Sequence, residues 1–194
     1  MAVEQTRARI LDAAESLFFT DGIAITGVDR VAEVAGVSVV TLYAHMGSKD
    51  GLLAEVLQRR LDGWQAVWQE QVDAVADPRA RVLAVFPALT AYRGRSSAAQ
   101  WCAFLATASE RSASPAGGSD RAADLVAADT TGLVERLREL AVEADPSRID
   151  EIVDTVLLLY NGALASLLRG HPADPADTAR EVARAALGWD GPTG

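Results

Sequence analysis

Apolar positions recur at helical spacing along most of the chain, and they divide it into short segments near the start and long ones later. Ile10, Leu11, Ala14, Leu17 and Phe18 form the i, i+1, i+4, i+7, i+8 stripe of an amphipathic first helix, which Gly22 after Asp21 stops. Val28, Val31, Ala32 and Ala35 mark one face of a short second helix, with Thr26 as its expected N-cap. Gly36 suits the left-handed conformation that ends a helix, and Ser38 is the expected N-cap of a third helix through Met46. In this helix, tight turn, helix pattern Val37 is expected to be buried between the two helices. Leu42 points inward, and Val39, Val40, Thr41, Tyr43 and His45 are left on the outward face. Ser48 then caps a fourth helix with Leu52, Leu53, Val56, Leu57 and Leu61 inward, and no strong breaker follows before Asp77-Pro78. Gly63 weakens that helix without ending it.

From Pro78 onward the period remains helical, with no alternating runs and no Asn-Gly hairpin signal. Val82, Leu83, Val85, Phe86 and Leu89 define a fifth helix that Pro87 should kink or split. Further helices are expected over 98–109, 120–142, 148–169, where Ser147 is the expected cap, and 177–187; Ser112 to Ser119 reads as a loop. The expected fold is all-α. A three-helix helix-turn-helix domain (1–47) is joined by a connecting helix (48–77) to a second helical domain (78–190). The second helix of a helix-turn-helix enters the DNA major groove, which makes double-stranded DNA the expected partner.

The 148–169 helix is apolar around more of its circumference than one packed side can cover. Either it is the central helix of a monomer, or a second copy covers it in a twofold four-helix bundle through residues 148–187. A homodimer also suits the first domain, because two reading helices about 34 Å apart meet successive major grooves.

Charge complicates this picture. The 194 residues carry a net charge of −9, and residues 1–50 set Arg7, Arg9, Arg30 and Lys49 against seven carboxylates. DNA binding would therefore depend on a few placed contacts, with a shallow salt dependence. Cys102 is the single cysteine, so no internal disulfide can form, and no apolar run reaches membrane-span length. A soluble cytoplasmic protein is expected. His45 and His171 are remote in sequence, Cys102 has no evident base, and there are no paired metal-ligand motifs or Gly-rich phosphate loops. No catalytic residue, cofactor or metal is expected, and the many carboxylates read as solvated faces.

The run from Arg9 through Leu53 resembles the DNA-binding domain of the TetR family of bacterial transcriptional regulators. The family pattern is a first helix ending at Phe and Gly, then T-x-V-x-x-I/V-A, A-G-V-S, and T-L-Y-x-H-F-x-S/G-K-x-x-L. The matches include Phe18, Gly22, Thr26, Val28, Val31, Ala32, Ala35 to Ser38, Thr41, Leu42, Tyr43, His45, Ser48, Lys49, Leu52 and Leu53. The resemblance implies that Ser38, Thr41, Tyr43, His45 and Lys49 lie near the DNA backbone and Val39 and Val40 near base edges, with Arg30 reaching for a phosphate. A phosphate would also account for Lys49, since a cation is misplaced on the positive end of a helix unless an anion joins it.

Three positions depart from the pattern. Gly27 stands where Ser or Thr is usual, Val39 and Val40 replace Lys and Gly, and Met46 replaces Phe. The valines exchange a cation for groups able to touch thymine methyls. The resemblance further implies that the second domain binds a small-molecule effector that releases a palindromic operator, the behaviour of a repressor. Candidate walls of that site are Trp64, Trp68, Phe86, Tyr92, Trp101, Cys102, Phe104 and Tyr160, which suit an apolar or weakly polar molecule. The alternative is a helical protein-interaction module that has lost specific DNA binding, which the acidic charge and Gly27 favour.

Overall fold

In the computed structural model, which describes residues 2–95, 104, 107 and 121–190, the chain is all-α, with no strand among the described residues. The helices are α1 (Ala2–Thr20), α2 (Val28–Ala35), α3 (Val39–Met46), α4 (Lys49–Asp73), α5 (Pro78–Leu83), α6 (Val85–Arg95), α7 (Arg121–Ala144), α8 (Ile149–Arg169) and α9 (Pro175–Ala186). Phe104 and Thr107 are also helical, whereas the rest of the predicted 98–109 helix and the 112–119 loop lie outside the described residues. The chain forms two compact units, one within residues 1–62 and 102–129, the other within 63–101 and 130–194. Both α4 and α7 carry the chain from one unit into the other.

The first unit is built on the α1 stripe. Ile10, Ala14 and Phe18 are buried against Val31 and Ala32 of α2, Leu42 of α3, and Leu52, Leu53, Val56 and Leu57 of α4. Gly36 ends α2 in the left-handed conformation at φ 66°, and its N–H returns to the carbonyls of Ala32 and Glu33. Ser38 then starts α3, its Oγ accepting from Thr41 N at 3.0 Å, and Ser48 Oγ accepts from Gly51 N at 2.9 Å in the first turn of α4. A Cβ on Gly51 would lie 2.3 Å from Met46 O, so glycine is required where α4 turns away from α3.

A polar network fastens α1 to α4 in this unit. Glu15 accepts from Arg60 at 2.6 Å and from Arg59, which also donates to Asp12 at 2.7 Å. Arg60 is only 4% exposed and lies 5.5 Å from the centroid of Phe19. Glu15 is thus no solvated-face carboxylate, since it compensates a buried cation.

In the second unit α9 packs along α8 and against α5 and α6. Asp77 caps α5, accepting from Ala80 N at 2.9 Å, with Pro78 in the first turn. The break between α5 and α6 falls at Ala84 rather than at Pro87. Pro87 has no N–H for the carbonyl four residues back and its ring displaces that group, so the ladder fails one turn earlier, beside Leu83.

Two expected caps are placed differently. Thr26 is buried and its hydroxyl donates to Gly22 O at 2.7 Å, leaving Gly27, at φ −80° and ψ 151°, to start α2 without a side-chain cap. Ser147 donates through its own N and Oγ to Asp145 Oδ1, so Arg148 occupies the N-cap position of α8. The last helix starts earlier than expected, at Pro175, where Asp174 caps it by accepting from Asp177 N at 3.1 Å.

Candidate nucleic-acid interface

The outward side of α3 is narrower than its sequence suggested. Val40 is 79% exposed and Tyr43 43% exposed, but Val39 is half-buried against the core of the first unit. Val39 belongs to the inward stripe with Leu42 and Met46, three and seven residues on. Val37 is likewise half-buried rather than enclosed. Thr41 and His45 are half-buried, and the Thr41 and Ser38 hydroxyls lie 2.8 Å apart, so the N-terminal turn of α3 presents a preorganised pair of hydroxyls.

The remaining expected DNA-binding residues flank this helix. Gly27 opens α2, and a Cβ there would meet nothing within 4 Å, so the serine or threonine usual at this place would fit. Arg30 is exposed and paired with Glu33 at 2.7 Å on the same helix. Lys49, at the start of α4, donates from Nζ to Ala24 O at 3.3 Å, which ties the α1–α2 loop to the end of α3. That carbonyl partly offsets the mismatch between the lysine and the helix end.

Two residues that the sequence reading did not single out join the neighbourhood. Arg9 of α1 is exposed, forms no ion pair among the described residues, and has its guanidinium 3.6 Å from where a Cβ on Gly36 would stand. Only the packing of α1 on α2 brings it beside the turn that leads into α3. Ile25, in the loop tied down by Lys49, is 77% exposed. An exposed isoleucine next to a buried Thr26 could have been noticed as an apolar residue out of phase with the core.

Of the candidate effector residues, Trp64, Trp68, Tyr92 and Tyr160 come together in the second unit. The Trp64 ring lies 5.9 Å from that of Trp68, and 5.8 Å from each of Tyr92 and Tyr160. Phe86 is fully buried, and Phe104 packs against the core of the first unit. Trp101 and Cys102 lie outside the described residues. A cleft of about 450 Å³ in the second unit is bounded by other residues, among them Leu83, Pro87, Arg180, Arg184 and Trp189. Its arginines are compensated by Glu181, with which both pair. No group of His, Cys, Asp or Glu side chains able to hold a metal occurs among the described residues.

A capped, tightly turned helix pair with an exposed second helix on an all-α scaffold is a helix-turn-helix protein. The family model for bacterial regulatory proteins of the tetR family matches residues 10–56, the segment that contains this site. That stretch is about a quarter of the chain, and over it the chain is similar to the TetR family. It is 33% identical over 86 residues to the HTH-type transcriptional repressor KstR2 of Mycobacterium tuberculosis, covering 44% of this chain and 43% of that one. It is 34% identical over 85 residues to the HTH-type transcriptional activator FasR of Mycolicibacterium smegmatis, covering 44% and 39%. The matched stretch thus spans less than half the length of these curated relatives. The fold extends further. A TetR-family regulator from Streptomyces coelicolor, SCO4454, superposes with a TM-score of 0.84 at 24% identity over 96% of both chains. A putative transcriptional regulator from Saccharomonospora viridis in complex with choline superposes at 0.75, with 19% identity over 96% and 97%.

Proposed function

We propose that the protein is a ligand-responsive transcriptional regulator that binds a palindromic DNA operator as a homodimer in the cytoplasm and represses until a small apolar or weakly polar molecule releases it. The observation that carries this reading is the exposed face of α3, where Val40 and Tyr43 project beside the Ser38–Thr41 hydroxyl pair within the family-matched segment. Tyr43, Thr41, Ser38 and Lys49 meet phosphates, with His45, Arg30 and Arg9 at the margin, while Val40 reaches a thymine methyl. Gly27 contributes backbone only. Repression follows KstR2; FasR, an activator by name, makes the sign a matter for a reporter assay.

The homodimer is supported by the outward sides of α8 and α9. Leu158 is 75% exposed on α8 and is followed at helical spacing by exposed Gly162 and Ala165. Val182, 47% exposed, lies on α9 between exposed Thr178 and Ala185. Small residues around two larger apolar ones allow close helix approach between two copies.

Selection of bound duplexes from a random pool tests the central claim. Enrichment of a twofold-symmetric site is expected, and enrichment of none would sink it. The interaction-module reading is favoured by how few cations remain uncommitted, since Arg7 pairs with Glu55 and Arg30 with Glu33. It predicts no duplex shift and partner binding that salt does not weaken.

A further inference from the structure

The first unit exposes an apolar side chain that its own packing does not require. Val40 and Ile25, at 79% and 77%, are the two most exposed large apolar side chains among the described residues, and both belong to this unit. Ile25 is held out rather than left loose. On one side of it Ala24 O accepts from Lys49 Nζ at 3.3 Å. On the other Thr26 is buried, its N and Oγ1 both donating to Gly22 O, at 3.2 and 2.7 Å. Ile23 already sits in the core, so the loop has its apolar anchor without Ile25. Loop tips favour Gly, Asn, Asp and Ser, and an isoleucine exposed there gains no burial from folding. The tie to Lys49, which opens α4 directly after the turn that ends α3, sets Ile25 beside the C-terminal end of the reading helix.

We propose that Ile25 is a DNA contact that packs on the deoxyribose carbons of one strand, at the edge of the groove occupied by α3. The proposal rests on the DNA-binding reading of this unit and adds an apolar backbone contact to it. A helix lying in the major groove meets the sugar–phosphate walls at its ends, and the carbon face of the sugar is the apolar part of those walls. Phosphate oxygens call for a cation instead, and most cations of this unit are committed. Arg7 and Arg121 pair with Glu55, Arg30 with Glu33, and Arg59 and Arg60 with Glu15. Burial of Ile25 against the sugar supplies affinity that does not depend on counterion release, which suits a chain of net charge −9. Its place on a loop at the helix end, rather than on α3, makes the contact independent of base sequence.

The test measures binding of the full chain to the selected operator and to a random-sequence duplex over a series of salt concentrations. Val142→Ala, at an exposed apolar position of the second unit, is the control and is expected to change nothing. Ile25→Ala is expected to weaken binding to both duplexes by the same factor, about tenfold, with the slope of log affinity against log salt and the melting temperature unchanged. Ile25→Lys places an ammonium beside the flanking phosphates and should steepen that slope by about 0.9 for each phosphate gained. A loss in Ile25→Ala no larger than in Val142→Ala, a loss confined to the operator, a lower melting temperature, or an unchanged slope in Ile25→Lys would each overturn the proposal. Failure of the unsubstituted chain to bind any duplex overturns the regulator reading and this proposal together, whereas duplex binding that is insensitive to Ile25 overturns this proposal alone.

Discussion

At the scale of single residues, exposure separates side chains that the sequence pattern had grouped. Val39 and Val40 are adjacent and identical, yet one leans on the core and the other projects into solvent. Val40 is therefore the valine assigned to base reading. Val40→Ser should change the preferred base at one position of each half-site, whereas Tyr43→Phe should weaken binding to all sequences about equally, by roughly 1 kcal/mol for one lost phosphate hydrogen bond. Competition shifts with a set of single-base operator variants distinguish the two.

Asp129, half-buried on α7, has its carboxyl pushed up from 3.8 to about 6 by desolvation. Between those values the folded protein holds a proton that the unfolded chain has lost, so this group's contribution to stability falls as pH rises from about 4 to 6 and is then constant. Asp129→Asn should remove that fall. Urea midpoints of the two proteins are expected to converge near pH 4 and to favour the variant at pH 7. A gap independent of pH would refute the assignment.

At the scale of elements, the caps and breakers acted much as their chemistry predicts, but partners distant in sequence redirected some of them. Thr26 has the side chain of a cap, yet the turn after Gly22 takes its hydroxyl inward. Asp145 claims Ser147 in the same way. The α1–α4 network is the larger case. Glu15 and Arg60 are 45 residues apart, and nothing in their spacing links them. Removing Glu15 takes one carboxylate from both Arg59 and the buried Arg60, so Glu15→Ala should destabilise the first unit by about 3 kcal/mol. Chemical denaturation checks this, with Glu33→Ala, an exposed pair, as a control expected to change little.

At the scale of the whole molecule, the net charge of −9 and the committed cations of the first unit imply few phosphate contacts, hence a shallow slope of affinity against salt. In the proposed homodimer, affinity then depends on presenting two reading helices together. Leu158→Glu places a charge on the exposed side of α8 while leaving its buried side untouched. It should yield a folded monomer by light scattering and lose operator binding by two orders of magnitude or more, on the order of 3 kcal/mol. A variant that stays dimeric would remove α8 from the interface.

The sequence by itself determined the all-helical class, the capped turn between α2 and α3, the continuity of α4 through Gly63 and the family resemblance of the first domain, because these depend on period, cap chemistry and glycine conformation within a few residues. It also marked four of the aromatic residues that meet in the second unit. Only the tertiary structure decided which valine faces outward, that Arg9 stands beside the turn into α3, that Glu15 holds a buried arginine, and that Trp68 keeps an indole N–H with no acceptor. Those outcomes depend on solvent exclusion and on groups tens of residues apart, and the turn, helix-packing and desolvation energies that set them are summed over the fold rather than written in any local spacing.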